Sequence, residues 1–95
     1  MIKVISKSYV ELGEIEKYKD LASELIEKSK KEESNISYGL YQDIDNHQVF
    51  TFIEEWKDKD SLYKHMKTDH FMKIVPKLAA LREKDADMNI YTKCL

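Results

Sequence analysis

The residues best equipped for chemistry crowd into one stretch, Glu54 to Phe71, which holds the only tryptophan, Trp56, and two of the three histidines, His65 and His70. Strand alternation puts Glu54 on the same side as Phe50, Phe52 and Trp56. A carboxyl group on that apolar side has its pKa raised by burial unless a donor pairs with it, and otherwise forms a salt bridge or cap at the sheet end. Trp56 itself reads as core, with its indole N–H bonded to a nearby acceptor. His70, next to Phe71, is either a proton acceptor working near neutrality or an internally satisfied histidine at a helix start. His65 and His70 lie five apart, about 140° around an unbroken helix, so they do not converge on one metal. His65 and Asp69, four apart, suit an ordinary hydrogen-bonded pair, and no metal is expected. Tyr38, Tyr41, Tyr63 and Tyr91 offer phenolic hydroxyls, although strand tyrosines mostly pack, and His47 falls in a turn.

Other chemistries lack their residues. Two glycines in the whole chain leave no phosphate-binding loop and no nucleophile elbow. The single cysteine, Cys94, permits neither an intrachain disulfide nor a multi-cysteine metal framework, which suits a reducing, cytoplasmic setting. Sixteen Lys and Arg against 18 Asp and Glu give a net charge of −2 and no field to draw a phosphate backbone, so nucleic acid is not an expected partner. MIKVISKSYV is no secretory h-region, and no apolar run reaches the roughly 18 residues of a membrane span.

The elements that must position these residues follow from periodicity. Ile2 to Val10 alternates as a strand. Ile15, Tyr18, Leu21, Ala22, Leu25 and Ile26 form the apolar stripe of a helix predicted over Gly13 to Glu32. Ile36 to Asp43 alternates again, with Ile36, Tyr38 and Leu40 on one side, and pairs across an Asp43 to His47 turn with Gln48 to Trp56. Leu62, Met66, Phe71, Ile74, Val75, Leu78 and Leu81 mark a second helical region, broken near Thr68-Asp69 and bent at Pro76, which removes the bond to the Met72 carbonyl. Met88 to Leu95 closes the chain as a strand. This order, β-α-β-β-α-β, predicts one α+β domain over residues 1 to 95, a four-stranded antiparallel sheet of ferredoxin-like type.

Two helices cover one side of such a sheet. The central strand carries apolar residues on both parities, Phe50, Phe52 and Trp56 on one and Val49 and Ile53 on the other. A second copy of the chain is the simplest cover for the spare face, so a homodimer is expected.

Ser37-Tyr38-Gly39-Leu40-Tyr41, Phe52-Ile53-Glu54-Glu55-Trp56, His65 and Thr68-Asp69-His70-Phe71, spread over nearly the whole length, resemble the antibiotic biosynthesis monooxygenase domain family. The resemblance implies a ferredoxin-like fold paired through its sheets into a dimeric α+β barrel. It further implies oxygenation of a small phenolic or quinol-type substrate by O₂ with no cofactor. On that resemblance His70 is the catalytic proton acceptor, Trp56 and Tyr41 orient the ring, and Glu54 and His65 set the polarity of the site. Haem-degrading proteins of the same fold carry a helix histidine where this chain has Val75, and a first-strand asparagine where it has Ser6, Lys7 and Ser8. The alternative function is a non-catalytic dimeric module that holds a small ligand or serves a stress response. An RNA-binding sheet, which shares the element order, lacks its basic excess here.

Overall fold

The strand with the least exposed side chains sets the middle of the sheet. Val49–Trp56 (β3) buries Val49, Phe50, Phe52, Glu54 and Trp56, as expected for a strand flanked on both edges and covered on one face. In the computed structural model, which describes residues 1–95, β3 pairs antiparallel with Ile2–Tyr9 (β1) on one side and with Asn35–Gln42 (β2) on the other. Asp87–Thr92 (β4) pairs antiparallel with β1, giving the order β2-β3-β1-β4 of the ferredoxin-like fold. The expected fold class is the one observed.

A 3-10 turn at Leu12–Glu14 leads into the first helix, Ile15–Ser29 (α1), which buries Tyr18, Ala22, Leu25 and Ser29 along one stripe. The helix is shorter than the periodicity predicts. It ends three residues before Glu32, and that difference frees Glu32 to turn back toward the core. The second helical region is two helices, Lys59–His65 (α2) and Asp69–Ala79 (α3). Each has its own N-cap. Asp58 accepts from the Ser61 amide at 2.8 Å, and Thr68 accepts from the Phe71 amide at 3.3 Å while its hydroxyl donates to the His65 carbonyl at 2.7 Å. Thr68 therefore closes one helix and opens the next. Beyond it, α3 passes through Pro76 and still reaches Ala79.

Helices α1 and α3 pack on one face of the sheet over a core that joins Val4, Phe52 and Trp56 from the strands to Tyr18, Leu25, Ile74 and Leu78 from the helices. Ile36 departs from the simple alternation. A bulge between Asn35 and Ser37 throws it outward, so it is 54% exposed while Tyr38 is buried. All of β4 is exposed, including Met88 and Ile90, which oppose the inward-facing Ser6 and Val4. The helical layer stops short of this strand.

The other face is open. Ile5 and Ile53, paired across β1 and β3 and half-buried, form its apolar middle, bordered by Lys3, Lys7 and Glu55. Val49 was expected to add to it, but is buried where its carbonyl accepts from the Asp43 amide and its amide donates to the Asn46 carbonyl. Tyr41 lies across Gly39, where an added Cβ would sit 3.1 Å from its ring and make that exposed ring shift by a few tenths of an ångström.

Replacing Thr68 by alanine removes an N-cap bond and is expected to cost about 1 kcal/mol of unfolding free energy in urea titrations. Thr68→Ser is expected to stay close to wild type.

Candidate active site

Residues i and i+2 of a strand share a face, so the sequence Glu54-Glu55-Trp56 sends Glu54 and Trp56 together into the helix-covered side. There the Trp56 indole N–H donates to Glu54 Oε1 at 2.9 Å, with both side chains buried. Burial pushes the Glu54 carboxyl up to about 7, against the Trp56 indole and Tyr38 phenol, which favour its anion; the Glu32 charge adds to the upward shift. Tyr38, on the neighbouring strand directly opposite Glu54, is itself pushed upward by burial first and by the Glu54 charge second.

Glu54 lies on the wall of a cavity of roughly 180 Å³ between the sheet and helices α1 and α3. Phe52, Leu25, Phe71, Val75 and Leu78 make most of the wall, Tyr38, Tyr18, Ser6 and Ser8 add hydroxyls, and Ala86 and Met88 form the rim beside β4. Arg82 also lines it, with a buried Nε that has no hydrogen-bond partner. A cavity of about 150 Å³ is known to accept benzene, so this space suits one aromatic ring.

His65 sits behind Trp56 and not in the cavity. Its ring is 1% exposed and stacks on the indole with centroids 4.4 Å apart at 35°. Its Nδ1 lies 2.6 Å from Glu32 Oε2, and His70 Nε2 approaches the same oxygen at 2.8 Å. A carboxylate only accepts, so both facing ring nitrogens carry protons and donate to it. His65 Nε2 is left buried without a partner. Burial, the largest influence, lowers the His65 pKa; Glu32 opposes this, and His70 adds a small further lowering. Burial thus favours the neutral ring, with Nδ1 as the donor.

Four expectations need correction. His65 and His70 do converge, because the break at Met66 to Thr68 cancels the 140° separation of a continuous helix. His65 pairs with Glu32, not with Asp69, for the same reason. His70 does not reach the cavity: Phe71 and Val75, four apart on α3, face it, while His70 turns toward the end of α1. Tyr41 is also separated from Trp56. It belongs to the opposite parity of β2, is 58% exposed and lies on the open face of the sheet. Of the five residues named from sequence, Glu54 alone lines the cavity, Trp56 bonds to it, and His65 and His70 lie beyond the indole. Glu32 and Arg82 were missed. Glu32 left one faint signal: acidic residues at a helix C-terminus oppose the macrodipole and call for a compensating donor.

A ferredoxin-like sheet, one helical layer on one face and a cavity of single-ring size bearing a buried carboxyl define a small α+β protein. Residues 1–77 match the family model described as antibiotic biosynthesis monooxygenase. The chain belongs to that family. A conserved protein from Methanosarcina mazei Go1 is 40% identical over 98% of this chain and 92% of its own, with a TM-score of 0.96. The crystal structure named antibiotic biosynthesis monooxygenase is 32% identical over the full length of both chains, with a TM-score of 0.95. The Bacillus subtilis protein that bears the name "Putative monooxygenase YcnE" is 32% identical over 62 residues, which are 65% of either chain. Another curated relative is matched over about half its length, 52%. A monooxygenase-like role is the one these likenesses support. No helix is long and apolar enough to cross a membrane.

The raised Glu54 carboxyl has a stability consequence. The unfolded chain loses this proton near 4.5, whereas the folded protein keeps it to about 7. Between those values the folded state binds more protons, so stability falls as pH rises, by about 3 kcal/mol in all. In urea titrations from pH 4 to 8, Glu54→Gln is expected to flatten this slope and to exceed wild type in stability above pH 7.

Proposed function

We propose that the protein is a cofactor-independent monooxygenase for a small phenolic substrate, with Glu54 as the proton acceptor. The observation that carries this reading is a buried carboxyl with a pKa of about 7, on the wall of an apolar cavity large enough for one ring. A base whose pKa lies near the working pH is both sufficiently ionised and sufficiently basic.

The steps balance without a metal or an organic cofactor. Glu54 takes the phenolic proton, and the phenolate, electron-rich in a dry cavity, passes one electron to O₂. The aryloxyl radical and superoxide join through a new C–O bond at a ring carbon bearing hydrogen. The proton on Glu54 returns to the outer oxygen, the O–O bond breaks as that ring C–H proton departs, and water leaves. The net change is phenol plus O₂ to quinone plus water. Trp56 holds Glu54 in place through its indole N–H, Phe52, Phe71 and Val75 contact the ring, and Ser6, Ser8 and Tyr38 offer hydrogen bonds to its substituents.

A homodimer formed through the open sheet face belongs to the same proposal. Ile5 and Ile53 supply an apolar centre, and Lys3 and Lys7 against Glu55 and Asp87 supply charges of both signs around it. The cavity lies on the helix side of each chain, so a partner would cover the sheet without dividing the cavity from solvent. Sedimentation at micromolar concentration is expected to give a dimer for wild type and single chains for Ile53→Lys.

Oxygen uptake with a panel of simple phenols and hydroquinones in metal-free buffer tests the chemistry. Wild type is expected to consume O₂ above the no-protein rate, with a rate that rises through pH 7, and ¹⁸O₂ is expected to place one labelled atom in the product. Glu54→Gln is expected to lose at least about 100-fold, whereas His70→Ala retains most of the rate. Uptake at the no-protein rate for every substrate, with phenols still bound, would leave the non-catalytic binding module as the correct reading.

A further inference from the structure

The cavity does not use the cluster behind Trp56. Glu32, from the segment after α1, His65, the last residue of α2, and His70, from the first turn of α3, present one carboxylate oxygen and two imidazole nitrogens that all lie within 4.8 Å of one another. We propose that Glu32 Oε2, His65 Nδ1 and His70 Nε2 form a binding site for a divalent transition-metal ion of the zinc class.

The donor chemistry selects the ion. Two imidazoles and one carboxylate suit Zn²⁺, Co²⁺ and Ni²⁺, while Ca²⁺ and Mg²⁺ prefer all-oxygen sets. The distances from Glu32 Oε2, 2.6 Å to His65 Nδ1 and 2.8 Å to His70 Nε2, resemble the edges between neighbouring ligands of such an ion. Tetrahedral ligands about 2.0 to 2.1 Å from zinc stand roughly 3.3 Å apart, so an ion between the three groups requires the two edges at Glu32 to open and the edge between the imidazoles, which lies within 4.8 Å, to settle at that length. The three ligands sit on separate elements whose joints at residues 30 to 34 and 66 to 68 can supply that movement.

The unpaired nitrogen of His65 points the same way. In the hydrogen-bonded form Nδ1 carries the proton, and Nε2 is a buried lone pair with no donor in reach. The ring is enclosed by Tyr38, Trp56 and Phe71, with the Tyr38 and Phe71 rings steeply inclined to it at 64° and 77°. A metal on Nδ1 moves the proton to Nε2, and an N–H is better accommodated among aromatic rings than a bare lone pair is. Access is by way of Glu32, since neither histidine lines the cavity beside it. Glu32 and Trp56 line a second cavity of about 220 Å³ with Ser34, Ser61, Lys64 and Thr68. Three protein ligands leave a coordination position for water from that side.

Such an ion ties the end of α1 to both α2 and α3, behind the indole that holds Glu54. The monooxygenase reading neither requires it nor routes a step through it, so the two stand or fall separately.

The test uses the full chain carrying Cys94→Ser, which removes the exposed thiol. Titration with Co²⁺ is expected to saturate at one equivalent per chain, with visible bands of a four- or five-coordinate ion that Zn²⁺ displaces. Zn²⁺ is also expected to raise the midpoint of thermal unfolding. Glu32→Gln and His70→Ala are each expected to weaken Zn²⁺ affinity at least 10-fold in calorimetry, while His47→Ala, at the exposed turn, leaves it unchanged. The absence of one-equivalent binding in the parent chain overturns the proposal whether or not the variants fold. Equal affinity in His70→Ala and the parent also overturns it, and weakening by His47→Ala would assign the binding to surface histidines instead.

Discussion

A carboxyl group held inside an apolar layer by one indole N–H is the constraint around which the molecule is arranged. Glu54 cannot be excluded from the core, because its strand parity is that of Phe50, Phe52 and Trp56, and those three must be buried for the sheet to be covered. The chain accommodates it with the Trp56 hydrogen bond, the adjacent Tyr38 phenol and the cavity beside it. Burial still leaves the group near 7, where it can exchange a proton at ordinary pH. On the proposed reading, what costs the fold stability is what gives the cavity a base, a common tension between stability and activity.

The support behind that bond depends on where the second helical region is interrupted. Thr68 caps α3 and binds back to the last residue of α2, so His65 and His70 come from different helices and can meet on Glu32. His65 then braces the indole, held by the carboxylate oxygen that it shares with His70. A continuous helix would have sent them apart.

Strand alternation and helical periodicity made the element order, the sheet type and the Glu54–Trp56 side readable in the sequence, because those depend on neighbours in the chain. The break near Thr68 was readable too, but its geometric effect was not: the angle between two helices joined by three residues is set by packing against α1 and the sheet. Glu32 was hidden for a similar reason. Periodicity extended α1 through it, whereas the helix ends at Ser29 and the next residues reverse direction. His70, weighed as a proton acceptor from its neighbours, took its catalytic role from family resemblance, and position along the chain did not say which side of α3 it would occupy; the alternation of β2 had already set Tyr41 on the side opposite Tyr38. Ile36 shows the limit of alternation itself, since one bulge turned it outward.

The incomplete helical roof bears on how such a scaffold can diversify. Ala86 bounds the cavity from just before β4, and Met88 from within that strand, whose six residues are all exposed and so contribute little to the core. Changes in size or polarity there would reshape the doorway at small energetic cost, while the wall opposite, which bears Glu54, is locked into the centre of the sheet. On the proposed reading, ligand preference can thus drift at the margin of the molecule and leave its chemistry untouched.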